Sequence, residues 1–322
     1  MIGTFIHPVL IIVIIVALLL IGGFIFMWFY CMKIAKKQYT SMFIRETQDK
    51  WARGNSAPEN AEHTVMFEAG MKWGTENASS MTEIEVTSFD GLKMKGEYFD
   101  FGFDRAAIIM AGRAETCKYC YYFADLYQKN NYNIIVVDPR AAGLSEDKYT
   151  GAGMLESRDL EAWIDLVHKQ FNIDHFVIHG ICIGSVAAIY VASRHNPYVD
   201  RIVLEGPFIS FYNVLCQRTR NLNKPTFPVC LQMGLLFKKI AGINIFKNKP
   251  IDAMKSVEIP MLMICGRQDK SSLPKYFDRI NQASGSKEKP MVWFDEGAHS
   301  HLRIRNLEAY DKAVSDFVNY GG

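Results

Sequence analysis

Five short, almost wholly apolar runs limit this chain more than any other feature: Ala106–Met110, Tyr132–Val137, His175–His179, Arg201–Leu204 and Pro260–Cys265. None alternates as a strand wetted on one face does, so each reads as a strand covered on both sides, as in a parallel sheet with helices on each face. Helical stretches fall between them, at Tyr121–Lys129, Met154–Gln170, Ile183–His195 and Lys275–Gln282, and Asn306–Tyr320 closes the chain. Strand and helix in repetition give a doubly wound sheet with right-handed crossovers. Ahead of it, Ile84–Thr87 alternates, Asp90-Gly91 supplies a hairpin turn, and Leu92–Phe99 alternates again. The expected class is α/β with a mostly parallel sheet.

A second constraint comes from Pro8–Tyr30, 23 residues without a charge. At about 1.5 Å per residue this stretch matches the roughly 30 Å hydrocarbon core of a bilayer. No Lys or Arg precedes it and it ends in bulky Met27-Trp28-Phe29-Tyr30, which argues for an uncleaved anchor rather than a signal peptide. Trp28 and Tyr30 suit the interfacial aromatic belt. The alternative is a buried core helix. Lys33, Lys36, Lys37 and Arg45 follow the run, so the positive-inside rule puts the rest of the chain in the cytoplasm, in a single-pass cell-membrane protein. An odd count of seven cysteines agrees with a reducing compartment.

These features divide the chain into an anchor with a basic flank (1–37), a stalk with a lead-in helix at Ala61–Trp73 (38–80), and a globular unit (81–322). Gly54-Asn55-Ser56-Ala57-Pro58 breaks the stalk. A long interruption between late strands, 209–258, reads as a helical cap over a pocket; its apolar residues also fit a packing face of its own. The formal charge of +2 shows no basic stripe, so nothing points to nucleic acid. Cys117 and Cys120 form a lone Cys-x-x-Cys without further ligands, so no metal or other cofactor is implied. Cys31 beside the membrane is either a palmitoylation site or a chance neighbour.

Residues 179–185 read HGICIGS, between a buried run and a helical stretch. A sharp strand-to-helix turn pushes its central side chain outward and demands tiny residues two before and two after it. Gly180 and Gly184 meet that demand around Cys182. Ser185 does not qualify, because its flanking positions are Ile183 and Ala187. Beyond later strands come Asp269 and then His299, in the order nucleophile, acid, histidine. In that arrangement His299 accepts the thiol proton and returns it to the leaving group, while Asp269 fixes the imidazole tautomer. His301 is the fallback histidine and Glu205 the fallback acid. The backbone N–H groups of Ile183 and Arg113 are the expected oxyanion donors, and the Arg113 guanidinium either meets solvent or holds an acidic substrate group. Taken singly, each of these side chains also reads as a solvated surface group.

From Thr82 onward the chain resembles the α/β-hydrolase superfamily. Asp138-Pro139-Arg140-Ala141-Ala142-Gly143-Leu144-Ser145 is similar to that family's Asp-x-Arg-Gly-x-Gly-x-Ser stretch. Tyr149, Gly151, Glu156, Asp159, Gly70–Trp73 and Ser88–Lys93 resemble bacterial membrane-anchored members, and related anchored hydrolases face either side of a membrane. The Cys182 elbow is similar to that of dienelactone hydrolases, and cysteine also serves in bile-acid-CoA acyltransferases and their acyl-CoA thioesterase relatives. One departure is Ala111-Gly112, where the family has His-Gly before the oxyanion loop.

A thiolate leaves more readily than an alkoxide, so attack on a plain alkyl ester tends to revert. Thioesters, enol lactones and aryl esters, with better leaving groups, shift the balance forward. The expected activity is hydrolysis of a thioester or activated ester carrying a lipophilic acyl group. Acyl transfer on the same fold and a non-catalytic binding protein remain open at this point.

Overall fold

The computed structural model of the chain describes residues 8–45, 61–113 and 115–319. In chain order the elements are α1 (Pro8–Phe43), α2 (Ala61–Glu76), β1 (Met81–Thr87), β2 (Lys93–Phe99), β3 (Arg105–Met110), α3 (Cys117–Gln128), β4 (Asn133–Val137), α4 (Met154–Phe171), β5 (His175–Ile181) and α5 (Ile183–Ser193). They continue with β6 (Val199–Glu205), α6 (Phe211–Asn221), α7 (Val229–Ile240), α8 (Pro250–Ala253), β7 (Met261–Gly266), α9 (Phe277–Ala283), β8 (Met291–Phe294), α10 (Leu302–Arg305) and α11 (Leu307–Asn319).

The strands form one eight-stranded sheet in the order β1-β2-β4-β3-β5-β6-β7-β8. The first two strands are antiparallel to their neighbours and every pairing from β4 to β8 is parallel. The β1–β2 hairpin turns at Gly91, whose φ of 87° is open to glycine. Strand β3 shows why its run is apolar throughout: Ala106, Ile108 and Met110 pack on the face covered by α4, α5 and α9, whereas Ala107 and Ile109 pack toward α2, α3 and α11. Each face takes alternate residues, so both sets must be hydrophobic.

Two loops are held by buried charge. Arg140 is 2% exposed and makes a bidentate pair with Asp159, each bond 2.8 Å, and further pairs with Asp90 and Asp147. Asp138 accepts from the backbone N–H groups of Cys117 and Leu144, both at 2.8 Å. The stretch resembling Asp-x-Arg-Gly-x-Gly-x-Ser is therefore a structural clamp.

Helix α1 has 36 residues, and an 18-residue window of mean hydropathy 3.4 within it is wholly exposed. It is long and apolar enough to cross a membrane. The expected change to a stalk at residue 38 does not occur; the helix runs on to Phe43 and enters the globular unit. Ala35, Tyr39 and Phe43, spaced by four, are all buried against α6 and α7 of the cap. The segment then extends: Arg45 donates to the carbonyls of Ser145 and Gly143, and Ile44 bridges Tyr149. The part of the expected stalk that includes Gly54–Pro58 lies outside the described residues. The insertion between β6 and β7 consists of α6, α7 and α8, and its apolar side packs on α1 and α5.

Candidate active site

The loops at the carboxyl ends of the parallel strands supply Cys182, Asp269 and His299. Strand β5 ends at Ile181 and α5 begins at Ile183, which leaves Cys182 alone in the turn with φ 58° and ψ −110°. That backbone conformation is sterically costly for a residue with a side chain, and the surrounding contacts impose it. A Cβ on Gly180 would collide with the backbone of Gly184, and one on Gly184 would collide with the Met110 carbonyl. The Cys182 N–H donates to the Glu205 carbonyl at 2.9 Å, locking the elbow to β6. Ser185 is fully buried and its hydroxyl bonds the carbonyls of Gly180 and Glu205, so it serves the turn's structure.

Asp269 follows β7 and is 4% exposed. One carboxylate oxygen accepts from the N–H groups of Ser271 and Ser272, both at 2.7 Å, and the other meets His299 Nδ1 at 2.7 Å. With the carboxylate held by two backbone donors, Nδ1 carries the proton and Nε2 is left as the base. His299 Nε2 is buried and makes no well-directed hydrogen bond among the described residues. Gly206, with φ 60°, passes beneath the ring; a Cβ there would lie 3.0 Å from His299 Cε1. Burial lowers the basicity of His299, but the charges of Cys182 and Asp269 and the Asp269 hydrogen bond outweigh it and raise its pKa well above the usual value.

The loop after β3 crosses directly over Cys182. A Cβ on Gly112 would stand 3.3 Å from Cys182 Cβ and 3.9 Å from its Sγ, which brings the Gly112-Arg113 backbone against the nucleophile position. The Arg113 side chain is half-buried and donates to the Met42 carbonyl at 2.7 Å, at the last turn of α1. Ile183 lies at the start of α5, at the floor of the same cavity.

The fallback residues lie elsewhere. His301 Nδ1 pairs with Glu62 of α2 at 2.9 Å, beside the ring of His63. Glu205 is buried below the elbow and accepts from the Tyr310 hydroxyl at 2.6 Å, while His179 Nε2 meets that hydroxyl at 3.1 Å. Tyr310 has one proton and gives it to Glu205, so His179 donates through Nε2–H; its unpartnered Nδ1 agrees. Burial drives the His179 pKa down to about 3, keeping that ring neutral.

A cavity of about 450 Å³ opens above Cys182 and His299. Phe208, Phe211, Val214 and Leu215 of the cap side form an apolar wall, and Met42 and Phe43 of α1 complete it. Arg218 and Lys270 stand at its edge, and Glu115, only 8% exposed, borders it next to Gly112. The contribution of α1 and the place of Glu115 were missed from sequence. The four-residue spacing of Ala35, Tyr39 and Phe43 beyond the basic flank was the available signal for the first. No sequence pattern marks the second.

Several known proteins resemble the chain. A family model described as alpha/beta hydrolase fold matches residues 108–216. An uncharacterized membrane protein of Saccharomyces cerevisiae is 22% identical over 218 residues, covering 66% of this chain and 69% of that protein. The alpha/beta hydrolase domain-containing protein WAV2 of Arabidopsis thaliana is 23% identical over 201 residues, 60% of this chain and 62% of its own length. Among solved structures, the Pyrococcus furiosus esterase Pf2001 superposes with a TM-score of 0.66 at 20% identity, covering 76% of this chain and 92% of that one. An esterase from Exiguobacterium antarcticum gives 0.53 at 17% identity, covering 73% and 98%. At these identities the structural likeness speaks to fold.

Proposed function

The chain has an α/β-hydrolase fold and falls within the superfamily that this fold defines; on that premise we propose that it is a membrane-anchored hydrolase that cleaves thioesters or activated esters through Cys182, His299 and Asp269. The observation that carries this reading is the 2.7 Å bond between His299 Nδ1 and Asp269, which leaves Nε2 facing the cavity that Cys182 enters. In the first half-reaction the Cys182 proton passes to Nε2, which the raised basicity of His299 favours, and Sγ bonds the substrate carbonyl carbon. The oxyanion meets the N–H groups of Ile183 and Arg113. His299 returns the proton to the departing thiol or alcohol as its bond to the carbonyl carbon breaks, leaving an S-acyl enzyme. Water then gives its proton to His299 and its oxygen to the acyl carbon, and Cys182 leaves and recovers the proton. The apolar wall of the cavity suits an acyl chain.

The test uses the full chain in detergent or nanodiscs with an acylating thiol probe and mass spectrometry of the adduct. Five of the seven cysteines are buried, which leaves Cys31 as an internal control for Cys182. Labelling at Cys182 that falls in His299→Ala, together with faster turnover of a thioester than of the matched alkyl ester, is the expected result. Labelling of Cys182 no faster than Cys31 would turn the reading to a binding protein on a hydrolase fold.

A further inference from the structure

All 34 acidic residues lie outside two segments, 1–45 and 206–251. The near-neutral total therefore conceals a strongly basic end and a net acidic remainder. The second segment is most of the cap and contains seven basic residues, all of them exposed, among them Arg220, Lys224, Lys238 and Lys239. The first is the anchor helix and its flank.

The cap is tied to that helix at a defined height. Gln232 Nε2 donates to the Trp28 carbonyl at 2.9 Å, near the end of the apolar run. Further along α7, the Phe237 ring lies 4.9 Å from Tyr39 and 4.8 Å from Phe43. Helix α7 thus runs in the same direction as α1, and its beginning is its membrane-proximal end. Phe227 lies in the loop that leads into the start of α7, two residues before Val229. Phe227 is 60% exposed, and Leu222 at the other end of the same loop is 59% exposed. Asn221 and Leu222 also border the cavity over Cys182.

We propose that the cap docks on the anionic surface of the bilayer that α1 crosses, with the loop 222–228 set among the headgroups and Phe227 at the acyl boundary. The occupant is a lipid surface because two independent features converge on it. Basic residues without an acid among them complement anionic headgroups, and exposed apolar side chains sit in the loop at the end of α7 that Gln232 ties to Trp28, in the aromatic belt of the anchor. The arrangement would open the cavity beside the membrane, so that an amphiphilic substrate passes from bilayer to Cys182 without crossing water. The inference rests on the anchor reading of α1 but is independent of the chemistry assigned to Cys182.

The test reconstitutes the full chain, carrying Trp28→Phe and Phe227→Trp, into vesicles of phosphatidylcholine with phosphatidylglycerol, with and without bromine on the upper acyl carbons. Relative to Trp28→Phe alone, the added emission is expected to be blue-shifted and quenched by bromine. The quenching should be lost when Arg220 and Lys224, which flank the loop, become Glu, and should persist in Cys182→Ala. Carbonate extraction separates the two readings. Protein retained in the vesicles with red-shifted, unquenched emission from the introduced indole overturns the docking alone, and protein released by carbonate overturns the anchor and the docking together.

Discussion

The Arg113 guanidinium donates a 2.7 Å hydrogen bond to the carbonyl of Met42, so the loop that overlies Cys182 is fastened to the last turn of the anchor helix. A cation at that position also answers the negative end of the helix dipole. Arg113→Ala leaves the backbone N–H in place and removes the side chain's hold on Met42 and its contact with the Phe43 ring. The expected effect is a fall in kcat of about tenfold through a misplaced oxyanion donor, with KM nearly unchanged, because the lost interaction acts on the transition state. Steady-state kinetics on a thioester checks it. A rise in KM with kcat intact would instead make Arg113 a substrate-binding residue.

Phe43 is 1% exposed, packs on Phe211 and Phe237, and lines the cavity. Phe43→Ala removes a buried ring shared by anchor and cap, and large-to-small core changes of this kind cost about 3–5 kcal/mol. Thermal unfolding in detergent should show a clearly lowered transition, with the cap more open to proteolysis around α6 and α7. Deletion of residues 1–44 should expose the same apolar face and yield aggregated protein. A soluble, fully stable truncation would mean that the α1–cap packing adds nothing to the fold.

Much of this was legible in the sequence because parallel strands advertise themselves. Burial on both faces makes Ala106–Met110 and Pro260–Cys265 apolar at every position, and reactive groups gather at one end of such strands. Cys182, Asp269 and His299 could be named for that reason. The fate of residues 35–45 was harder to read, since a basic flank after an apolar run looks the same whether the helix ends or docks. What distinguishes the two is the partner surface on α7, far away in the chain. The charge on the cap was hidden for a related reason: a total of +2 averages over segregated basic and acidic parts.

The raised pKa of His299 has a consequence for stability. In the unfolded chain its ring titrates near 6.5, whereas in the fold the charges of Cys182 and Asp269 hold the proton to higher pH. The stabilisation is fully present below about pH 6.5 and is lost as pH rises through the folded value. His299→Gln cannot take up that proton. The stability difference between the parent and His299→Gln, measured by denaturant midpoints, should therefore be largest in mild acid and shrink toward alkaline pH. A difference that grows with pH would mean that the ring is held neutral.

Glu205 adds a dependence of the same sign in a lower pH window. Burial pushes its carboxyl up to about 7, with Asp269 adding to the shift, while the Tyr310 hydrogen bond and the His299 charge pull it back. An unfolded glutamate releases its proton near 4.5, so between about 4.5 and 7 the folded state binds more protons than the unfolded one. Stability contributed by this site is present below that window and declines as pH rises through it. Above it, the charged carboxylate costs on the order of a few kcal/mol. Glu205→Gln keeps the shape and an acceptor for Tyr310 but cannot ionise. It should match the parent at pH 5 and exceed it in denaturant midpoint at pH 8. Turnover should change by less than about tenfold, since His299 donates its Nδ1 hydrogen bond to Asp269 and not to Glu205. A variant less stable than the parent at pH 8 would show that Tyr310 and His299 favour the buried carboxylate over its neutral counterpart.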